Sequence, residues 1–583
     1  MNAMLYVGLA AVALIALSLL LGGCGLLVRR ACGLPVRSTS DLLLAPWVGW
    51  CLAVLILQIW HLAFPVDRRV LLVIAATGLA GLLLNAGEIA RRAAGWPWRS
   101  RWMALLIAAA AVWVANQTTT QPKHPDSPLY HIVSVRWATD YAIVPGLGNL
   151  RNILGYNSSF FLYAAMLDNG PFQGKFHHLA GGLLLFLLLA RILHGASRLL
   201  AGDRARAWHV FDALFLVPVI LYVMGDYGSS PSPDVAVFAL GVAAASELLR
   251  QYVEAEGREE GGLSGAGGRD REACYAVFVL SLLATVGITV KVSFAAFALT
   301  LGALALFARL KTHARGPLLD GRTAAWIAGG GILLLGTWMV RGIITSGYPA
   351  YPSTFLGWPV EWRVSAEMAR RNAESVCAWA RMPGVPPEQV LGNWRWVWLW
   401  ANRMLRNGYT VVLPLTLAAV LAPVLHATGR EQTGARRSAL PWLFLVLPIA
   451  GLAFWFLTAP EPRFAGAAFW ILANGAVALA LRSGDALRPR MAVACMTVTL
   501  FFSNVDVVQF VKPWNKDMGP VKQGVVEAMT TRSGLTVFVP LVDGQCWDAP
   551  LPCTTSRQQL DPDLRLRVPG DLSRGFVVGR QTL

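Results

Sequence analysis

Three residues that can handle protons, His124, Asp126 and His131, stand close together in one polar stretch. Asp226 and Asp234 bracket a short turn rich in Ser and Pro, Lys291 ends one apolar run, and Arg341 nearly ends another. Glu461 and Arg463 share the tight turn Ala459-Pro-Glu-Pro-Arg-Phe464. Ionisable side chains at the ends of apolar segments are costly to keep, which makes them functional candidates. Carboxylates and cations meeting at one membrane face suit a reaction in which a nucleophile loses a proton while an anionic group departs. In that scheme Asp126, with His131 beside it, is the candidate general base. Lys291, Arg341 and Arg463, with Glu461 in the same turn, are candidates to hold a phosphate, Arg by bidentate contact. Asp226 and Asp234 offer a second acidic group.

Each candidate also has a structural role open to it. Asp126 can cap a helix beginning near Ser127, and Asp234, just after Pro233, can cap the helix that follows. Lys291 can snorkel to a membrane interface. Arg463 can pair with Glu461 as a structural corner. His177-His178, at the lip of an apolar run, reads as packing rather than as a metal pair. The chain contains no Walker A motif, dinucleotide-binding glycine fingerprint or HExxH, so ATP-driven transport, nicotinamide chemistry and zinc proteolysis lack their local signatures.

The elements that must position these residues are read from composition. Over 583 residues, 55% are hydrophobic and only 14% charged, and the mean hydropathy is +0.51. A soluble domain of this size needs far less apolar material. Each crossing of a bilayer takes about 20 apolar residues, and about 14 such stretches recur, which predicts an all-α polytopic membrane protein. Among them are 70–86, 102–116, 463–481 and 491–510. The net charge of +17 lies in short loops instead of on one soluble face, which argues against nucleic acid as a partner. Arg29, Arg30 and Arg37 follow the first span; Arg198, Arg204 and Arg206, then Arg309, Lys311, Arg315 and Arg322, then Arg430, Arg436 and Arg437 follow later ones. By the positive-inside rule these loops are cytoplasmic, and every second loop obeys.

The same rule puts both termini on the opposite side, together with two long loops, 117–175 and 345–407. The predicted organisation is a membrane domain over 1–510 and a small exterior domain over 511–583, with strand character at Gly534–Pro540. Within the first loop, helical spacing at Leu129–Tyr141 and Gly155–Leu167 predicts interfacial helices. The second loop carries Tyr348, Tyr351, Trp358, Trp362, Trp379, Trp394, Trp396, Trp398 and Trp400, suited to the headgroup region or to stacking on a sugar. Cys546 and Cys553 flank a turn in the exterior tail, and a disulfide is expected there. Leu21-Gly-Gly-Cys24 looks like the end of a lipoprotein signal, but no positive charge precedes it and two arginines follow, so a membrane span is the expected reading. Gly261–Gly268 reads as a flexible linker.

Several short runs resemble a known group. Asp126-Ser-Pro-Leu-Tyr-His131, Arg136-Trp137, Val144-Pro-Gly-Leu-Gly-Asn149 and Gly155-Tyr-Asn-Ser-Ser159 resemble the first periplasmic loop of a family of large bacterial membrane proteins related to the GT-C glycosyltransferases. Lys291-Val-Ser293, the run from Arg341 to Ser353 and the Ala459–Phe464 turn extend the resemblance across residues 100–470 in the same order. It implies a GT-C-like fold in the bacterial inner membrane. It also implies transfer of a sugar from a polyprenyl-phosphate carrier to a periplasmic glycan or protein acceptor, with Asp126 as base or metal ligand. The chain departs from better-understood branches in having about three spans before that loop. It also lacks an acidic doublet beside Asp126, which leaves a divalent metal undecided. A transporter or flippase of lipid-linked or anionic glycans is the alternative, but it would place charge along a path through both membrane halves and often shows internal repeats. A non-enzymatic scaffold for envelope assembly would bind no lipid-linked sugar.

Overall fold

The computed structural model describes residues 2–94, 98–201, 206–261, 266–312, 318–429, 439–482, 487–511, 517–542, 544–554 and 560–579. Arg204, Arg315, Arg430, Arg436 and Arg437 of the basic loops, and 262–265 of the Gly-rich stretch, lie outside the described residues. The chain is mostly helical. Among the described residues, ten helices are long and apolar enough to cross a membrane: Ala3–Ala31, Thr39–Trp60, His177–Leu200, Ala207–Met224, Pro233–Glu256, Asp270–Val290, Val292–Lys311, Gly321–Ser346, Gly408–Thr428 and Leu440–Thr458. Helices satisfy their own backbone, which is what apolar segments of this length require in lipid.

The remaining expected spans take other forms. The stretch 70–86 becomes Arg68–Leu84, which forms with Ala86–Arg92 a pair bent by 60°. The break falls at Asn85, whose side-chain amide donates to the Gly81 carbonyl. Spans 102–116 and 463–481 are the shorter apolar helices Trp102–Thr118 and Ala468–Ala480. The second begins late because Pro462–Ala465 forms a 3₁₀ turn. Leu487–Asn504, where 491–510 was expected to cross, is not among the ten.

The first three helices pack through glycine. A Cβ on Gly23 would fall 1.9 Å from the Gly78 carbonyl oxygen, one on Gly25 1.9 Å from that of Ala45, and one on Gly49 1.8 Å from that of Leu21. Small residues let helix backbones approach this closely, so the Gly-Gly-Cys-Gly run is a crossing surface buried inside Ala3–Ala31.

The two long loops and the C-terminal segment meet on one face, called here the loop face. The stretches read as interfacial helices are instead buried there. Ser127–His131 continues into Ile132–Asp140, and Phe160–Met166 packs in the main core. Val133, Trp137, Leu147 and Leu154 share an apolar cluster with Val537, Val539 and Phe576 of the C-terminal segment. The Trp547 N–H donates to the Pro128 carbonyl at 3.0 Å, and Arg136 pairs with Asp548 at 2.6 Å. Among its described residues the segment holds two small antiparallel sheets, Val526–Thr530 with Thr536–Pro540 and Leu564–Leu566 with Phe576–Val578.

Cys546 and Cys553 form the expected disulfide. It closes a short loop, with a sequence separation of 7. By loop-closure entropy, replacing both cysteines with serine should lower the stability of this segment by about 2–3 kcal/mol. Hydrogen exchange should show faster exchange in Val526–Thr530 and Thr536–Pro540, with the helical core unchanged.

Candidate functional site

Long-range pairing brings four charged side chains together on the loop face. Asp126 Oδ2 accepts from the Arg463 guanidinium at 2.7 Å across 337 residues of sequence. Asp234, in the first turn of its helix and 7% exposed, is ion-paired with the Lys291 ammonium. Lys291 occupies the break between two spanning helices, Asp270–Val290 and Val292–Lys311. His124 lies between the two pairs. Its Nδ1 is 3.1 Å from the Asp126 backbone nitrogen and its Nε2 is 4.0 Å from Asp234 Oδ2. Ser230 Oγ accepts from the backbone N–H groups of Lys123 and His124, fixing this strand of the loop against the turn after Tyr227. Lys291 and Arg463 both stand over the Phe464 ring, at 4.2 and 5.1 Å, and Arg463 also stacks on Trp379 at 5.1 Å.

Several roles assigned from sequence change. Asp126 makes no cap hydrogen bond to the helix beginning at Ser127; its carboxylate is turned to Arg463. Arg463 does not pair with its neighbour Glu461, which is 3.4 Å from Arg403. The Ala459–Phe464 turn points the two side chains apart, and the Trp400 and Trp455 indoles donate to its Pro460 and Glu461 carbonyls. Arg341 is not joined to the cluster at all. It is buried against Asn157 and His61, where its helix passes behind the first loop. Asp226 is exposed, and of the two candidate second acids only Asp234 enters the cluster. His177 and His178 are packed in the core, with the Tyr6 hydroxyl 2.7 Å from His178 Nδ1. Of the Trp-rich loop, Trp379 reaches the cluster, Trp396 is buried, and Trp358, Trp394 and Trp398 are exposed.

Burial pulls His124 below the ordinary imidazole value, against the opposing pull of Asp234 and Asp126. It pulls His131 further below, helped by His124. Both rings are therefore neutral near pH 7. The Asp126 N–H donates to His124 Nδ1, so the His124 proton sits on Nε2, facing Asp234. Burial raises the Glu461 carboxyl, against Arg403 and Arg463.

The histidine shifts predict a pH dependence. A folded-state value below the unfolded value of about 6.5 means that the unfolded chain binds protons first as pH falls. The stability contributed by neutral His124 and His131 is complete above that value and is lost as pH drops from it towards their folded-state values. Thermal unfolding midpoints should be level above about pH 6.5 and decline below it. His124→Gln should make that decline shallower.

One ligand atom each from His124, Asp126 and His131 can be found within 4.8 Å of one another. This mixed N/O set suits a divalent transition metal. Arg463 competes for the same Asp126 carboxylate, so the two occupancies exclude one another in part.

An apolar groove ends at this cluster. Phe464 and Ser293 mark its head, and Val237, Phe297, Phe454 and Ile471 line its walls between spanning helices. It encloses about 580 Å³ including its open side. Sequence reading did not find the groove, nor the bridging role of His124, nor Arg403 as the partner of Glu461. His124 carried a signal, two residues before Asp126. The groove carried none, because its walls are ordinary apolar residues.

A family described as a domain of unknown function, DUF8201, matches residues 4–470, most of the chain, and the protein belongs to that family. No curated protein and no solved structure matches it.

Proposed function

We propose that this DUF8201 protein is a GT-C-like glycosyltransferase of the bacterial inner membrane. On this reading it moves a sugar from a polyprenyl-phosphate carrier to a glycan or protein acceptor on the periplasmic side, where both termini also lie. The observation that carries the reading is the junction of the apolar groove with the two cations. A prenyl chain lies in the groove, and its phosphate reaches Lys291 and Arg463, which stand over the Phe464 ring at the groove's head.

The four-charge cluster is balanced, two carboxylates against two cations. That balance couples proton transfer to departure of the phosphate. The acceptor hydroxyl gives its proton to Asp126, its oxygen bonds to the anomeric carbon, and the bond from that carbon to the phosphate oxygen breaks with its electron pair. Once protonated, Asp126 holds Arg463 less strongly, so the guanidinium is free to neutralise the leaving phosphate as its charge develops. Direct displacement inverts the anomeric centre. His124 and Asp234 hold the loop and Lys291 in register, and Trp379 offers a ring face beside the sugar.

The test is turnover of a panel of polyprenyl-phosphate sugars by the purified protein in lipid nanodiscs with envelope glycan acceptors, read as released polyprenyl phosphate. Release that depends on the acceptor and disappears in Arg463→Gln supports the reading. Passage of intact lipid-linked sugar between leaflets without release would assign transport instead.

A further inference from the structure

The Arg341 environment has a chemistry of its own. Arg341 is 4% exposed and has no carboxylate partner among the described residues; its Nε donates to Asn157 Oδ1 at 3.1 Å and an Nη lies 2.7 Å from His61 Nδ1. A guanidinium only donates, so His61 Nδ1 accepts, and the neutral ring carries its proton on Nε2. Burial, reinforced by Arg341, holds that imidazole well below its usual value and so neutral. The Nε1–H of Trp137 has no acceptor among the described residues, and the Nε2–H of His61 has only the Tyr141 backbone carbonyl beyond hydrogen-bond distance, although both residues are nine-tenths or more buried. Arg341, His61 and Trp137 line one cleft, which encloses about 530 Å³ including its mouth. Among the described residues no Asp or Glu lines it, and its other walls are largely apolar, among them Val144, Leu147 and Phe161.

A buried cation with only neutral partners and an orphan indole N–H in the same cleft leave charge and hydrogen bonding unmet, and an oxyanion supplies both. We infer that this cleft is a binding site for an oxyanion head group carried on an apolar molecule, separate from the Asp126–Arg463 cluster. The guanidinium offsets negative charge, the Trp137 N–H takes a further oxygen lone pair, and the apolar walls take the adjoining carbons. The inference needs no sugar and no acceptor, and it stands or falls independently of the transferase reading.

The test is saturable binding of radiolabelled dodecyl phosphate to the purified full-length protein in a neutral maltoside detergent, with inorganic phosphate and dodecanol as competitors. Arg341→Gln should weaken binding about ten- to a hundredfold, and Trp137→Phe, which removes one N–H, about fivefold. Arg463→Gln should leave the Arg341-dependent binding intact. Dodecyl phosphate binding at least about tenfold tighter than inorganic phosphate assigns the site to an amphiphile's head group; equal affinity, with both variants still weakening it, assigns it to a free oxyanion. Should Arg341→Gln fail to fold, Trp137→Phe carries the test alone. The inference is overturned if neither phosphate binds saturably, if dodecanol competes as well as dodecyl phosphate, or if binding is lost in Arg463→Gln and unchanged in Trp137→Phe.

Discussion

Asp126→Asn should lower sugar transfer by at least about 100-fold while the protein stays folded, because an amide cannot take the proton that a positioned carboxylate takes. The side chain is partly buried and is held at 2.7 Å by Arg463, so Asn preserves the shape but leaves the guanidinium with a weaker partner. On the proposed reading the loss should fall on kcat, since Asp126 would act at the acceptor oxygen, away from the groove proposed to take the lipid. Binding of a polyprenyl-phosphate sugar should be unchanged or slightly tighter, because Arg463 is released towards the phosphate. Single-turnover kinetics with separately measured donor affinity would resolve the two effects. Transfer persisting at the wild-type rate would remove Asp126 from the chemistry and return the loop to a structural role.

The second large effect is on stability. Lys291→Met should destabilise the protein by about 3 kcal/mol, because it strands the Asp234 carboxylate, 7% exposed, without its cation. Removing both charges should cost much less than removing one. Asp234→Asn in the Lys291→Met background is therefore expected to recover most of the loss, to within about 1 kcal/mol of wild type. Unfolding of the four proteins of this double-mutant cycle, by denaturant titration in mixed micelles, gives the coupling directly. Additive effects of the two substitutions would show that the pair contributes nothing beyond its separate members.

These two predictions differ in how far the sequence anticipates them. Asp126 is legible as a candidate because it is a carboxylate in a polar loop between apolar runs with histidines on either side, and its cap reading is the one that the structure removes. The partner of Lys291 is not legible: Asp234 reads equally well as a helix cap and is 57 residues away. The same holds for Arg463. Glu461, its neighbour by sequence, pairs with Arg403, and the turn's backbone hydrogen bonds to Trp400 and Trp455 send the two side chains in different directions. Arg341 is the plainest case. The sequence places it at the same depth as Lys291, near the end of an apolar run, yet it faces Asn157 and His61, 184 and 280 residues distant.

By itself the sequence determined that the chain is mostly helical with helices apolar enough for a membrane, that Cys546 and Cys553 pair, and near which helix ends the charged residues stand. Each of those follows from hydropathy or short-range spacing, which are properties of the linear chain. The tertiary structure decided which charges meet, which helices leave a groove between them, and that Arg341 belongs to a separate cleft. Hydropathy fixes a residue's height along a helix but not the direction in which it points around the axis. That direction is set by packing, here by glycine contacts between the first helices and by a C-terminal segment clamped over the first loop.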